Sequence, residues 1–245
     1  MKLVVLSSCY QRPDLLATLA ESCQLFRHDL ILVEKPGAAW TNCREGKLIA
    51  ARDKLKELAT AGVYTHALWT DGFDSFMCQP LHAIAREHAA MGSPEIILSA
   101  EKNCFPDATL AKLYPLQDSP WEFVCAGGWL VEISARVCGV FDQLCAEESP
   151  EDQLTWARAY VNGFVGGMAT LDVGCRIFQT MWGTSEFDEV TVTPKINGDV
   201  VNHVTGSHPC VIHFNGSGPD HPTQRYLSMW QRLWFAKQLP GSLQA

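Results

Sequence analysis

The stretch KLVVLSSCYQRPDLLATLAESCQLFRHDLILVEK, residues 2–35, changes its hydrophobic period twice. KLVVLSS is a short, continuously apolar run ending in serines, the pattern of a strand buried on both faces. Arg12-Pro13-Asp14 then opens a helix in which Leu15, Leu16, Leu19, Cys23 and Phe26 recur at helical spacing. DLILVEK reads as a second strand. A strand, a helix and a strand in succession predict a parallel pair joined by a crossover, the building unit of an α/β sheet.

The alternation continues outward from that unit. EGKLIAARDKLKELATAG, residues 45–62, places Leu48, Ile49, Arg52, Leu55 and Leu58 on nearly one stripe, with Gly62 as the terminator. YTHALWT is a third strand, residues 64–70. Pro80 to Met91 forms a short helix and EIILSAE a strand rich in β-branched residues. WEFVCAGGWLVEI is a strand, or a strand pair, interrupted at Gly127-Gly128. Helices follow from Ser134 to Cys145 and from Pro150 to Val161. Short strands around GMATLD, CRIFQT and DEVTVT come next, then a polar loop through KINGDVVNHVTGSH, the strand CVIHF and a Trp-rich helix from Tyr226 to Lys237. The expected fold is a single α/β domain over residues 1–245, with a mostly parallel sheet and a mixed second half.

At 245 residues and 47% hydrophobic content, the chain is long and apolar enough for a sizeable core, and a disordered or fibrous chain is excluded. Lys and Arg number 19 against 27 Asp and Glu, a net charge of -8 with no basic stripe, so no nucleic-acid partner is expected. MKLVVLSSCY is too short for a signal core and no run reaches bilayer length, so a cytoplasmic protein without membrane contact is expected. The ten cysteines show no CxxC or close Cys/His spacing and fit buried, reduced thiols.

Ligands of open α/β sheets settle beyond the carboxyl ends of strands. There, WTDGFDSF places Asp71 and Asp74 three residues apart behind the third strand. Carboxylates are hard ligands for Mg²⁺ or Mn²⁺ and can link protein to a diphosphate, although an isolated pair of this kind is more often a capped turn around Gly72. VIHFNGSG puts His213 at another strand end before a glycine-containing loop. Nitrogen ligation from it favours Mn²⁺, and the plain alternative is a hydrogen-bonded histidine beside a turn. SPEDQL is a complete helix start with Ser149 as cap and Pro150 as first helical residue; if that start faces the same crevice, Asp152 can be aimed at a sugar or acceptor hydroxyl. SAEKNCFPD ends a strand with Glu101 and passes into a substrate-lining loop or a rigid turn. Trp156, Trp230 and Trp234 sit at helical positions and read as packing residues rather than sugar platforms, whereas Trp182 in QTMWG stays open between the two.

The order WTDGFDSF, IILSAEKNCFPD, VCAGGWLVEI, EDQLTWARAY, TLDVGCRIFQTMWG and VIHFNG resembles the glycosyltransferase domain of the procollagen lysyl hydroxylases and their relatives. The likeness runs from the first strand to the loop after His213, and the joint order is far more specific than any one motif. It implies a GT-A-type, Rossmann-like fold that uses a UDP-sugar and Mn²⁺, with Mg²⁺ as the alternative ion. The implied reaction moves glucose or galactose to an acceptor hydroxyl with retention of configuration. The acceptor class, whether glycan, peptide or small molecule, stays open.

By the same resemblance, Asp71, Asp74 and His213 match the family's metal ligands, and Phe73 an aromatic beside the nucleotide. Trp40 matches a tryptophan near the uracil, and Leu6 and Ser8 lie where the first strand meets base and ribose. Asn215 and Gly216 match the loop near the diphosphate. Asp152 matches the last acidic residue of an Asp-rich run, with Gln153 following it, and both are assigned to the catalytic centre. The chain departs from the family at Cys125, where Asn is usual, and at Phe105, where a Trp is usual. Ser217-Gly218-Pro219 replaces Pro-Thr-Lys, so the cationic phosphate contact is either missing or comes from Lys47 or Arg225. These departures keep a second reading open, a non-catalytic nucleotide-sugar or glycan-binding module. A sugar-phosphate nucleotidyltransferase shares the architecture but needs a Gly-rich, basic loop after the first strand, which is missing.

Overall fold

Leu3–Ser8 forms β1, and its alternation decides which layer each residue enters. Val4 and Leu6 point to one face with Ala67 and Trp69, while Leu3 and Val5 point to the other with Leu68. All six residues of β1 are buried, which is why the run carries no polar alternation. The computed structural model describes residues 1–8, 16–33, 44–149, 151–186, 188–193, 199–216, 229–234 and 237.

β1 pairs in parallel with β2 (Asp29–Val33) and with β3 (His66–Thr70). Beyond β3 lie β6 (Phe123–Glu132), β5 (Ile96–Glu101) and β7 (Ala169–Leu171), giving the order β2-β1-β3-β6-β5-β7. β6 runs antiparallel to both neighbours, and β5 and β7 are parallel. The sheet is therefore mostly parallel, with one reversed strand near its middle.

Helices α2 (Ala50–Ala61), α4 (Ala135–Ala146) and α5 (Asp152–Val161) cover the face of Val4 and Leu6. An aromatic relay ties that layer together: Trp69 stacks on Trp129 with centroids 5.5 Å apart, Trp129 meets Phe141 at 5.1 Å, and Phe141 meets Trp156 at 5.4 Å. Burying each of these rings contributes about 2 kcal/mol or more. Trp156 is thus a core residue, as its helical position predicts. On the opposite face lie α1 (Ala17–Phe26), α3 (Leu81–Ala90) and a small sheet of β4 (Ser75–Met77), β11 (Val211–His213) and β8 (Phe178–Thr180). Trp230, in the helical residues 229–234, is buried in this second layer.

The structure departs from the sequence reading at several points. β6 is one continuous strand, not a pair: its ladder with β3 runs through Gly128. Gly127-Gly128 does break the other ladder, where Leu98 pairs with Trp129 but Ser99 pairs with Cys125. A Cβ on Gly128 would lie 2.8 Å from Phe178, so the bulge lets β8 approach. The polar loop contains a strand, β10 (Asp199–Asn202), paired antiparallel with β9 (Val190–Thr193). The helix at residues 45–62 opens with a π-helical turn, Arg44–Ile49, and ends as expected at Gly62, whose φ is 64°. Ser149 is not the cap of α5: Glu151 takes that position, and the Ser149 hydroxyl accepts instead from the Glu151 amide at 3.2 Å. The start of the first helix at residues 12–14, Pro150, and most of the Trp-rich helix outside 229–234 lie outside the described residues.

The eight described cysteines are free thiols. Burial pushes the Cys23 thiol up to about 12, so it packs as a small apolar group. Among the described residues no helix is long and apolar enough to cross a membrane.

Candidate active site

The carboxyl end of β3 and the end of β11 meet because the Asp71–Asp74 turn is fastened from several sides. The Asp71 amide donates to the Gly127 carbonyl at 3.0 Å, and the Phe214 amide donates to the Asp74 carbonyl at 2.9 Å. Gly72 presses against Ser7 and Leu16 so closely that a Cβ there would clash with both. The Ser7 hydroxyl in turn donates to the Thr70 carbonyl at 2.8 Å. The turn is therefore held against the end of β1 as well.

Within this frame the expected residues converge. His213 Nε2 stands 3.4 Å from Asp74 Oδ1 and 3.9 Å from Asp71 Oδ2. Its ring lies directly over Gly127, where any Cβ would collide with Cε1. Lys47 Nζ, carried on the π-helical turn, donates to Asp71 Oδ2 at 2.6 Å and lies 3.6 Å from Asp152 Oδ2. Lys47, Asp152 and His213 are all buried. Burial, the largest single influence on His213, opposes its charge, but the Asp74 carboxylate and the Cys125 thiol together hold the imidazole pKa well above the ordinary value. Burial also raises the Asp152 pKa, with Lys47 pulling the other way.

These residues fit a divalent ion in donor chemistry. Two carboxylates and an imidazole suit Mn²⁺ or Mg²⁺. Asp71 Oδ1 is buried with no hydrogen-bond partner, a costly state that a cation relieves. Ligands cis to each other on an ion with bonds of about 2.1 Å stand roughly 3 Å apart, so the His213 contacts need only a small contraction. As they stand, no three His, Cys, Asp or Glu side chains among the described residues form a ready-made cage. Lys47 supplies positive charge beside Asp71 here.

A second cluster lies behind the first. Glu101, at the end of β5, accepts from the Gln153 side-chain amide through one oxygen and from Asn215 Nδ2 at 2.8 Å through the other. Asn215 Oδ1 then accepts from the backbone amides of Met181 at 3.1 Å and Trp182 at 3.0 Å. Gln153 also donates to the Phe105 carbonyl at 3.2 Å. Burial raises the Glu101 pKa to about 7 against the pull of these hydrogen bonds and His213. Sequence reading placed Glu101 at the end of a strand that leads into a substrate-lining loop or a rigid turn. Its role as the link between Gln153 and Asn215 depends on the end of β5, the start of α5 and the loop after β11 coming together, and leaves no local signal.

The other expected residues divide. Ser8 is buried at the end of β1, whereas Leu6 lies wholly inside the core with no exposed surface, so its side chain cannot face a ligand. Phe73 is half-buried in the aspartate turn. Gly216, exposed and with φ at 81°, lies beneath the Trp182 ring. Cys125 Sγ sits 3.8 Å from His213 Nδ1 and is fully buried, so it faces the imidazole rather than an open cavity. Trp40, Arg225 and Ser217-Gly218-Pro219 fall outside the described residues.

The sheet order and its covering helices are those of a GT-A-type fold. A glycosyltransferase involved in glycosylation of the major capsid of PBCV-1 superposes on 96% of this chain and 100% of its own, with a TM-score of 0.53 at 10% identity. The WbbM bifunctional glycosyltransferase gives the same score over 95% of this chain and 49% of its own, also at 10% identity. The family described as the PLOD GT domain matches residues 3–230, and the chain belongs to that family. Its curated relatives include the procollagen-lysine,2-oxoglutarate 5-dioxygenase of Drosophila melanogaster, 28% identical over 62% of this chain and 21% of that protein. The multifunctional procollagen lysine hydroxylase and glycosyltransferase of Caenorhabditis elegans is 22% identical over 90% of this chain and 31% of its own length. The chain thus spans about a fifth to a third of these relatives.

Proposed function

We propose that this glycosyltransferase moves a hexose, glucose or galactose, from a UDP-sugar to an acceptor hydroxyl with retention of configuration. The observation that carries the reading is the convergence of Asp71, Asp74 and His213, with Asp71 Oδ1 buried and unpartnered. These three side chains would hold Mn²⁺, or Mg²⁺ in its place. Bound there, the ion would act as a Lewis acid toward the charge that develops on the departing diphosphate.

The chain's own residues do the rest. Lys47, between Asp71 and Asp152, fixes both carboxylates and brings a positive charge to the side where UDP departs. Asp152, held by that lysine and dehydrated, orients a hydroxyl of the donor sugar or of the acceptor. Glu101 fixes Gln153 and Asn215 in one arrangement, so the loops they carry are set before the substrate arrives. In the transfer step the acceptor oxygen bonds to the anomeric carbon and the bond from that carbon to the diphosphate oxygen breaks. UDP leaves with the electron pair, and the hydroxyl proton passes to a diphosphate oxygen.

Thermal denaturation with UDP-glucose, UDP-galactose and other nucleotide sugars, each with Mn²⁺ or with EDTA, tests donor and ion together. The expected result is a raised midpoint that requires Mn²⁺ and is largest with a UDP-hexose. No shift with any donor would contradict the proposal.

A further inference from the structure

Two cysteines face each other across neighbouring strands, and the reaction chemistry above uses neither. In the ladder of β4 with β11, Met77 pairs with Val211, Phe76 with Ile212 and Ser75 with His213. One step further along the same register, the Cys78 amide donates to the Cys210 carbonyl at 2.7 Å. Residues opposed on antiparallel strands send their side chains to the same face, with Cα atoms roughly 5.5 Å apart where backbone hydrogen bonds join them. A disulfide needs Cα atoms about 4.4–6.8 Å apart, so this backbone can accept one without moving. No other two cysteines among the described residues are opposed in this way.

Both side chains are wholly buried in the second hydrophobic layer. Each thiol makes a long hydrogen bond to a carbonyl, Cys78 to Phe76 at 3.9 Å and Cys210 to Arg176 at 3.7 Å. Sulfur is a weak donor, so turning the two thiols towards each other gives up little. Burial pushes both thiols up, and the nearby Cys78 sulfur adds to the rise at Cys210. Lys237 and the Ile212 amide pull Cys78 the other way, which makes Cys78 the sulfur that attacks first. The position matters for the site. β4 starts directly behind the Asp71–Asp74 turn and β11 ends on His213, so the cysteines lie at the far end of the two strands that carry these residues. Each strand is three residues long, and a covalent bond would add a tie that so short a ladder lacks.

We propose that Cys78 and Cys210 are a dithiol–disulfide pair, oxidised by exchange with a small-molecule disulfide, whose closed form fastens β4 to β11. The Cys78 thiolate attacks one sulfur of the external disulfide and displaces the other half as a thiol. Cys210, deprotonated in turn, attacks the Cys78 sulfur of the mixed disulfide and displaces the second half. The pair loses two electrons and two protons, and the two released thiols carry them away. Access requires a local opening of the buried layer, so the exchange is slow. The proposal depends on the fold alone and holds whether or not the chain transfers a hexose.

Incubation of the folded full chain with oxidised glutathione over hours tests this. Acid quenching, blocking of free thiols with N-ethylmaleimide in denaturant and peptide mass spectrometry then identify the cross-link. The expected product is a peptide pair joined through Cys78 and Cys210 and separated by dithiothreitol. The linked protein should melt about 5 °C or more above the reduced one, and Cys78→Ala and Cys210→Ala should neither link nor gain that rise. The cross-link is read on the wild type, so a variant that fails to fold leaves the test intact. The proposal is overturned if no such peptide pair forms, if either cysteine links to a different one, or if the link forms only after unfolding in urea. It is also overturned if the link leaves the melting midpoint unchanged or lowers it, or if Cys210→Ala shows the same rise with oxidised glutathione.

Discussion

Gly127 carries His213 on its bare Cα, and this makes a glycine as important to the site as its ligands. Gly127→Ala forces the imidazole away from Asp71 and Asp74. The expected cost is about 1–3 kcal/mol of stability and a Mn²⁺ affinity lowered at least tenfold, read by calorimetric titration. Unchanged Mn²⁺ affinity would show that the ring position is not needed. Glu101 gives a pH test at the same scale. Its folded pKa of about 7 lies above the ordinary value of 4.5, so its stabilising contribution is complete below the lower value and is lost as pH rises through the upper one. Compared with Glu101→Gln, the wild type should lose roughly 3 kcal/mol across that window in denaturant unfolding with EDTA present. A constant difference between the two proteins would refute the shift. Asp71, Asp74 and His213 stood out as candidates from their residue types at strand ends and Asp152 from a helix start, whereas Lys47 entered only through the family resemblance. Gly127 was visible only as a break in a strand, since the side chain it accommodates is supplied from far along the chain.

Between β7 and β8 the turn depends on one carboxylate. Asp172 accepts from the backbone amides of Arg176 at 2.8 Å, Ile177 at 2.7 Å and Phe178 at 2.8 Å. These bonds set the start of β8, which positions β11 and hence His213. Asp172→Ala leaves three amides without their acceptor and should cost about 3 kcal/mol, measured by chemical denaturation; Asp172→Asn, which keeps one acceptor oxygen, should cost less. Loss of under about 0.5 kcal/mol in the alanine variant would show that water replaces the carboxylate. At this scale the sequence was readable wherever an element buries a face. The strands β1, β3 and β5 and the helices α2 to α4 follow from periodicity. β4 and β10 escaped it because they are too short for alternation to stand out, and β10 lies in a polar run where pairing, not burial, makes the strand.

Over the whole molecule, the alternating pattern gave the α/β class, but the order of strands and the reversed β6 could not be derived from it. Those depend on which apolar faces meet across the sheet, and local sequence does not encode that choice. What the architecture achieves is to bring the ends of β3, β5 and β11 and the start of α5 to one edge, so that residues from 47 to 215 share one site. The central claim is that this site releases UDP from a UDP-hexose with help from an ion held by Asp71, Asp74 and His213. It is tested most directly by measuring UDP release from UDP-glucose and UDP-galactose, with Mn²⁺ and with EDTA, for the wild type and Asp74→Ala. The account predicts Mn²⁺-dependent release by the wild type, lost at least 100-fold in EDTA and in the variant while the variant stays folded. Release at the wild-type rate by folded Asp74→Ala, or no release by the wild type with either donor, would contradict it.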